Sequence, residues 1–110
     1  SYGRNYELAA DTLVATVPIG YADGLRRALA AAGGEVLVGG RRRRIAGTVT
    51  MDQLLIDCGV EDDVRPGDEV VLIGRQGGEE ITAEEWADRL DTIVYEVLCG
   101  IGPRVPRLAV

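Results

Sequence analysis

Two adjacent glycines constrain this chain more than any other feature. Val36-Leu37-Val38, then Gly39-Gly40, then Arg41 to Thr50 place two β-prone runs on either side of a two-residue gap. That is the pattern of an antiparallel hairpin, because the tight hairpin turns require positive φ, which glycine adopts without penalty. Strand alternation puts Arg42 and Arg44 on one face and Arg43 and Ile45 on the other. The arginine run reads as a solvated or partner-facing strand rather than a phosphate site.

Other segments repeat the theme. Thr12 to Pro18 is rich in β-branched residues and ends at proline, so it reads as a strand delivering the chain to the Gly-rich turn Ile19-Gly20-Tyr21-Ala22-Asp23-Gly24. Asp23 reads as a residue that caps backbone amides within that turn. Leu25 to Ala32 predicts one or two helical turns closed by Gly33-Gly34. Met51 and Asp52 interrupt the β signal before Leu54-Leu55-Ile56-Asp57 resumes it, which predicts a bend or bulge that re-aims backbone amides. Pro66-Gly67 centres a turn ahead of a strand from Val70 to Gly74. Thr82-Ala83-Glu84-Glu85 is a capping box opening a helix to about Leu90, with Trp86 and Leu90 on its buried face. Thr92 to Cys99 fits a strand by composition, but its apolar spacing favours a helix. The tail from Pro103 holds two prolines and reads as extended. The predicted fold class is mainly β: a compact, closed, Greek-key-like β-barrel with one or two short helices.

Composition then excludes several functions. The 12 basic and 18 acidic residues give a net charge of −6, which argues against nucleic-acid binding. No apolar run approaches the roughly 18 residues of a membrane-spanning helix. The chain has no histidine, so zinc sites and His-based triads are not expected, and no metal site is visible. Cys58 and Cys99 are too few for a disulfide framework; they read as small buried hydrophobes in a protein of the reducing cytoplasm. The acidic clusters Glu61-Asp62-Asp63 and Glu79-Glu80 read as solubilising loops. At 110 residues, beginning without methionine, the chain is expected to be one domain, residues 1–110, of a larger parent.

Four segments, in order, carry a resemblance: Ser1-Tyr2-Gly3, Pro18 to Gly24, Thr50-Met51-Asp52-Gln53, and Thr92-Ile93-Val94-Tyr95-Glu96 followed by Arg104-Val105-Pro106-Arg107. Together they resemble the C-terminal domain of the alanine racemase family over essentially the whole chain. The resemblance implies a missing N-terminal α/β barrel that holds pyridoxal phosphate on a lysine, and a head-to-tail homodimer in which each active site is shared. It implies that Tyr2 is one of two bases, acting on one face of the α-carbon of a small amino acid while the lysine acts on the other. Racemisation needs that opposition of base and acid, with the cofactor ring absorbing the negative charge. A phenol, with an ordinary pKa near ~10, serves as a base near neutrality only where hydrogen bonds or positive charge favour its phenolate.

By the same resemblance Met51 and Asp52 meet the substrate carboxylate through backbone amides, and Tyr95 approaches the cofactor phosphate. Tyr21, Arg27 and Ile93 line the entrance, and Arg107 supports the site from behind. Tyr6 lies near Tyr2 but lacks the following glycine. Thr48 stands where the family often has arginine, and Val94 where a polar residue is common. The resemblance further implies that the isolated chain is inactive. A non-catalytic β-barrel interaction module and a racemase of another small amino acid are the alternatives; Met51-Asp52 favours a racemase over the decarboxylases of the same architecture.

Overall fold

The computed structural model describes residues 12–59, 64–102 and 105. Seven strands and three helices follow one another as β1 (Val14–Val17), α1 (Arg27–Ala31), β2 (Glu35–Val38), β3 (Arg41–Ala46), β4 (Leu54–Asp57), β5 (Val70–Val71), β6 (Gly74–Gln76), β7 (Glu79–Ile81), α2 (Ala83–Leu90) and α3 (Val94–Cys99). A single 3-10 turn, Tyr21–Asp23, lies between β1 and α1.

The Gly39-Gly40 hairpin forms as the sequence predicts. Both glycines take positive φ, 62° and 73°, and β2 pairs antiparallel with β3 from Glu35 opposite Arg44 to Val38 opposite Arg41. The sheet extends in both directions to the order β1-β4-β3-β2-β5, with every pairing antiparallel. Among the described residues β1 and β5 are therefore the outer strands. Both contribute to the walls of one cleft of about 290 Å³, lined by Val14 to Val17 on one side and Val64 to Asp68 with Val70 on the other. Among the described residues the five strands curl into a half-barrel whose outer strands share this cleft without a ladder between them. The expected closed barrel is not confirmed among these residues, where β5 is two residues long.

The core fills the concave side. Leu29, Val36, Leu37, Val38, Val49, Ile56 and Ile81 are fully buried, with Trp86 and Val97 brought in by the helices. Burial of such side chains is the main favourable contribution to folding, about 1.5–3 kcal/mol each. Three helices form where one or two were expected. Gly33 ends α1 at φ 81°, its amide donating to Ala30 O, and Arg89 reaches across to donate to Ala32 O.

The expected strand from Val70 to Gly74 is broken. It stops at Val71, and a second hairpin, β6 with β7, turns around Gly77-Gly78. Glu79 and Glu80 thus lie in a strand, not in a loop. The two glycine turns abut: Gly40 N donates to Gln76 Oε1 at 2.9 Å, and a Cβ on Gly77 would come within 3.3 Å of Gly40 Cα.

The arginine run divides as alternation requires but is not merely solvated. Arg43 is buried and donates to Val38 O and Cys58 O. Arg42 forms a two-pronged pair with Glu85 of α2 at 2.7 and 2.8 Å, pairs with Glu35 of β2 at 3.1 Å and Glu79 of β7 at 3.3 Å, and donates to Glu80 O. One guanidinium thereby fastens the second hairpin and α2 to the main sheet. Glu85 is for this reason only half of a capping box: Thr82 Oγ1 accepts from Glu85 N at 3.1 Å, while the Glu85 carboxylate serves Arg42 and Arg89. We expect Thr82→Ala to cost about 1 kcal/mol through loss of that cap, read as a lower urea midpoint with an unchanged slope.

Cys58 is buried as expected, but Cys99 is exposed at the end of α3, contrary to the sequence reading; neither is in a disulfide. No described helix is long and apolar enough to cross a membrane, and no described group of His, Cys, Asp or Glu could hold a metal ion.

Candidate functional site

The Gly-rich turn is the point at which the candidate site segments meet. Asp23 is buried and its Oδ2 accepts from Gly20 N at 3.2 Å, closing the turn on itself, which bears out the capping reading of Asp23. The turn then bonds to the bend at Met51: Tyr21 N donates to Thr50 O at 3.0 Å and Ala22 N to Met51 O at 2.9 Å. On its other side it bonds to the segment after α3, where Gly102 N donates to Asp23 O at 2.9 Å. Gly24, at φ 111°, packs on Gly100, and a Cβ there would meet Gly100 O at 2.7 Å.

Within the bend both carbonyls, of Thr50 and of Met51, are used by the turn. The amides of Met51 and Asp52 donate to no acceptor among the described residues. Both residues are exposed. Two successive amides without a partner among the described residues are available to an acceptor. The bend expected from the interrupted β pattern is thus present, and it leaves the amides that such a bend was expected to re-aim.

Tyr95 projects from the first turn of α3 and is 74% exposed; its hydroxyl has no hydrogen-bond partner among the described residues. Ile93 is the residue preceding that helix and is exposed. Tyr21 is half-exposed on the 3-10 turn, and Arg27 is exposed at the start of α1. Tyr2 and Arg107, with Tyr6, lie outside the described residues.

Six large hydrophobic side chains are exposed among the described residues, and four of them are Tyr21, Met51, Ile93 and Tyr95. Apolar exposure thus falls largely on the residues singled out for chemistry. Met51 in particular is not core filler. Sequence reasoning missed Arg26, adjacent to Arg27, which pairs with Glu96 of α3 at 3.1 Å and ties α1 to the helix that carries Tyr95. No local pattern could have found a partner 70 residues away.

A curled sheet of five strands with a few helices defines a mainly β domain of half-barrel form. The comparisons then give it a family. The profile of the alanine racemase C-terminal domain matches residues 1–109, and the chain belongs to that family. It is 55% identical to the alanine racemase of Symbiobacterium thermophilum over 107 residues, which is 97% of this chain and 28% of that protein. Against alanine racemase 1 of Bacillus subtilis it is 49% identical over 108 residues, 98% of this chain and 27% of that protein. Among solved structures, the alanine racemase of Bacillus anthracis with bound L-Ala-P superposes with a TM-score of 0.88 at 48% identity, covering 97% of this chain and 27% of that one. The Oenococcus oeni alanine racemase reaches 0.89 at only 28% identity, over 100% of this chain and 29% of that one. The chain therefore spans little more than a quarter of the length of the relatives it matches.

Proposed function

We propose that this domain supplies one half of the active site of an alanine racemase, the other half coming from an N-terminal α/β barrel of the same enzyme and the shared site lying between two subunits of a homodimer. The observation that carries the reading is the pair of amides at Met51 and Asp52, which have no partner among the described residues, set in a chain whose close relatives are alanine racemases. An amino-acid carboxylate is the ligand such a pair suits.

The residues present also suit pyridoxal phosphate as the cofactor. Its phosphate needs donors, and the hydroxyl of the exposed Tyr95 on the first turn of α3 is one. When bound, the cofactor supplies an electron sink for the α-carbon as it loses its proton. This chain's own contribution is to hold and to protonate. The Met51 and Asp52 amides orient the carboxylate, fixing which face of the α-carbon looks toward each base. Tyr95 steadies the phosphate; Tyr21 and Ile93, with Arg27, narrow the entrance and exclude water, and Arg107 supports the site from behind. Tyr2 takes or returns the α-proton at its phenolic oxygen on one face. The lysine on the opposite face belongs to the barrel.

The test is α-proton exchange of D- and L-alanine in deuterated water with pyridoxal phosphate, comparing this domain alone with the full-length parent. We expect the parent to exchange both enantiomers and the domain neither. Turnover by the domain alone would sink the half-site reading, and a parent inert toward both enantiomers would favour a non-catalytic interaction module.

A further inference from the structure

A bend whose amides hold a ligand must itself be held, because a backbone loop displaced by an ångström no longer aims its N–H groups. Two residues, Gly20 and Thr50, do this here. Gly20 is buried in extended backbone at φ −149°, a conformation open to any residue, so its lack of a side chain is not explained by its dihedrals. It is explained by what lies against it. A Cβ on Gly20 would fall 2.2 Å from Thr50 O, 2.7 Å from the carbonyl carbon of Met51 and 2.7 Å from Asp52 N. All three are backbone atoms of the bend, and none can move aside without moving the amides.

Thr50 closes the bend from the other side. Its amide donates to Gln53 O at 3.0 Å, its hydroxyl contacts the same carbonyl at 3.0 Å, and it accepts from Gln53 N at 3.2 Å. Thr50 O meanwhile accepts from Tyr21 N. The threonine thus pins both ends of the Met51-Asp52 step while the glycine forms the bed beneath it.

We infer that Gly20 and Thr50 are positioning residues for the substrate carboxylate: they set the direction of the Met51 and Asp52 amides without touching the ligand. This deepens the proposed function and rests on it for the identity of the ligand. A methyl at position 20 pushes the bend outward, whereas removing the Thr50 hydroxyl loosens it. Both changes weaken carboxylate placement more than proton transfer.

The experiment uses the full-length parent with Gly20→Ala, Thr50→Val and Thr50→Ser. We expect Gly20→Ala and Thr50→Val to raise KM for alanine about tenfold or more while kcat falls less, and Thr50→Ser to restore KM, since serine keeps the hydroxyl. Thr50 is partly exposed, so Thr50→Val keeps the test available if Gly20→Ala fails to fold. Both variants retaining the parent's KM would overturn the inference, as would a Thr50→Ser variant no better than Thr50→Val. A second readout is independent of turnover: the amide resonances of Met51 and Asp52 should shift in Gly20→Ala and Thr50→Val. If the unaltered parent does not racemise alanine, the functional reading fails, and the resonances alone decide positioning. Unmoved resonances refute it; shifted ones uphold it.

Discussion

Tyr2→Phe in the full-length parent should suppress α-proton exchange from one enantiomer of alanine by about a thousandfold, within the span general acid–base groups contribute, and from the other far less. The substitution removes one oxygen and leaves the ring, so packing is nearly conserved. On the proposed mechanism the lysine still serves its own face, and the enantiomer presenting its α-proton there still exchanges. Following loss of the α-proton signal separately for D- and L-alanine in deuterated water measures the asymmetry. Equal suppression of both would remove Tyr2 from the role of a one-sided base and assign its effect to general disruption of the site.

Arg42→Ala has the largest expected effect on the fold. The side chains of Arg42, Glu35 and Glu85 are 30%, 23% and 22% exposed, so the network is sheltered enough to count but wet enough to be screened. Removing the guanidinium leaves Arg89, at 3.6 Å from Glu35 and 3.5 Å from Glu85, as the remaining cation beside these acids, and leaves Glu79 without its arginine. We expect a loss of about 2 kcal/mol, between the small value of a surface pair and the several kcal/mol of a fully buried one, measured by urea denaturation of the 110-residue chain at pH 7.

The same network predicts a pH dependence. The Arg42 hydrogen bonds hold the Glu85 carboxyl below its ordinary value of 4.5, against the opposing effect of burial. A carboxylate with a depressed folded pKa stabilises above its unfolded pKa, and that stabilisation is lost as pH falls through the folded value. The difference between the parent chain and Arg42→Ala should therefore be full at neutral pH and shrink below about pH 4.5. A gap that persists unchanged at pH 2 would mean that Arg42 acts through packing of its stem, not through charge.

The network also shows how far the sequence could be read. Alternation correctly separated Arg42 from Arg43, because a strand has only two faces. It could not say that both faces were engaged, since the acids meeting Arg42 come from β2, β7 and α2, up to 43 residues away. The Gly39-Gly40 hairpin was legible because long β-prone runs flank it. Gly77-Gly78 makes a like turn but joins strands of three residues each, and Glu79-Glu80 beside it carry charges that mimic a loop. Strand length is hard to read from pattern for a related reason: the run expected from Val70 to Gly74 gives a β5 that stops after two residues.

For the site, Gly20, Tyr21, Met51 and Tyr95 were legible only as an ordered set of motifs. What the sequence could not supply was the reason the motifs travel together. The turn at 20–24 is bonded on one side to the bend at 50–53 and on the other to the segment after α3. The Arg26–Glu96 pair that reinforces this joint is equally invisible in the chain order.

The abutting hairpin tips bear on how the domain can be engineered. Exposed hairpin tips are ordinarily the places where an inserted peptide, a tag or a new chain terminus is best tolerated. Here a Cβ on Gly77 would press on Gly40 Cα at 3.3 Å, and the Gly40 amide donates to Gln76 Oε1. Lengthening either turn would drive it into the other and pry the second hairpin from the sheet. Grafting is better directed to the turn at Pro66-Gly67, where a Cβ on Gly67 would meet nothing within 4 Å.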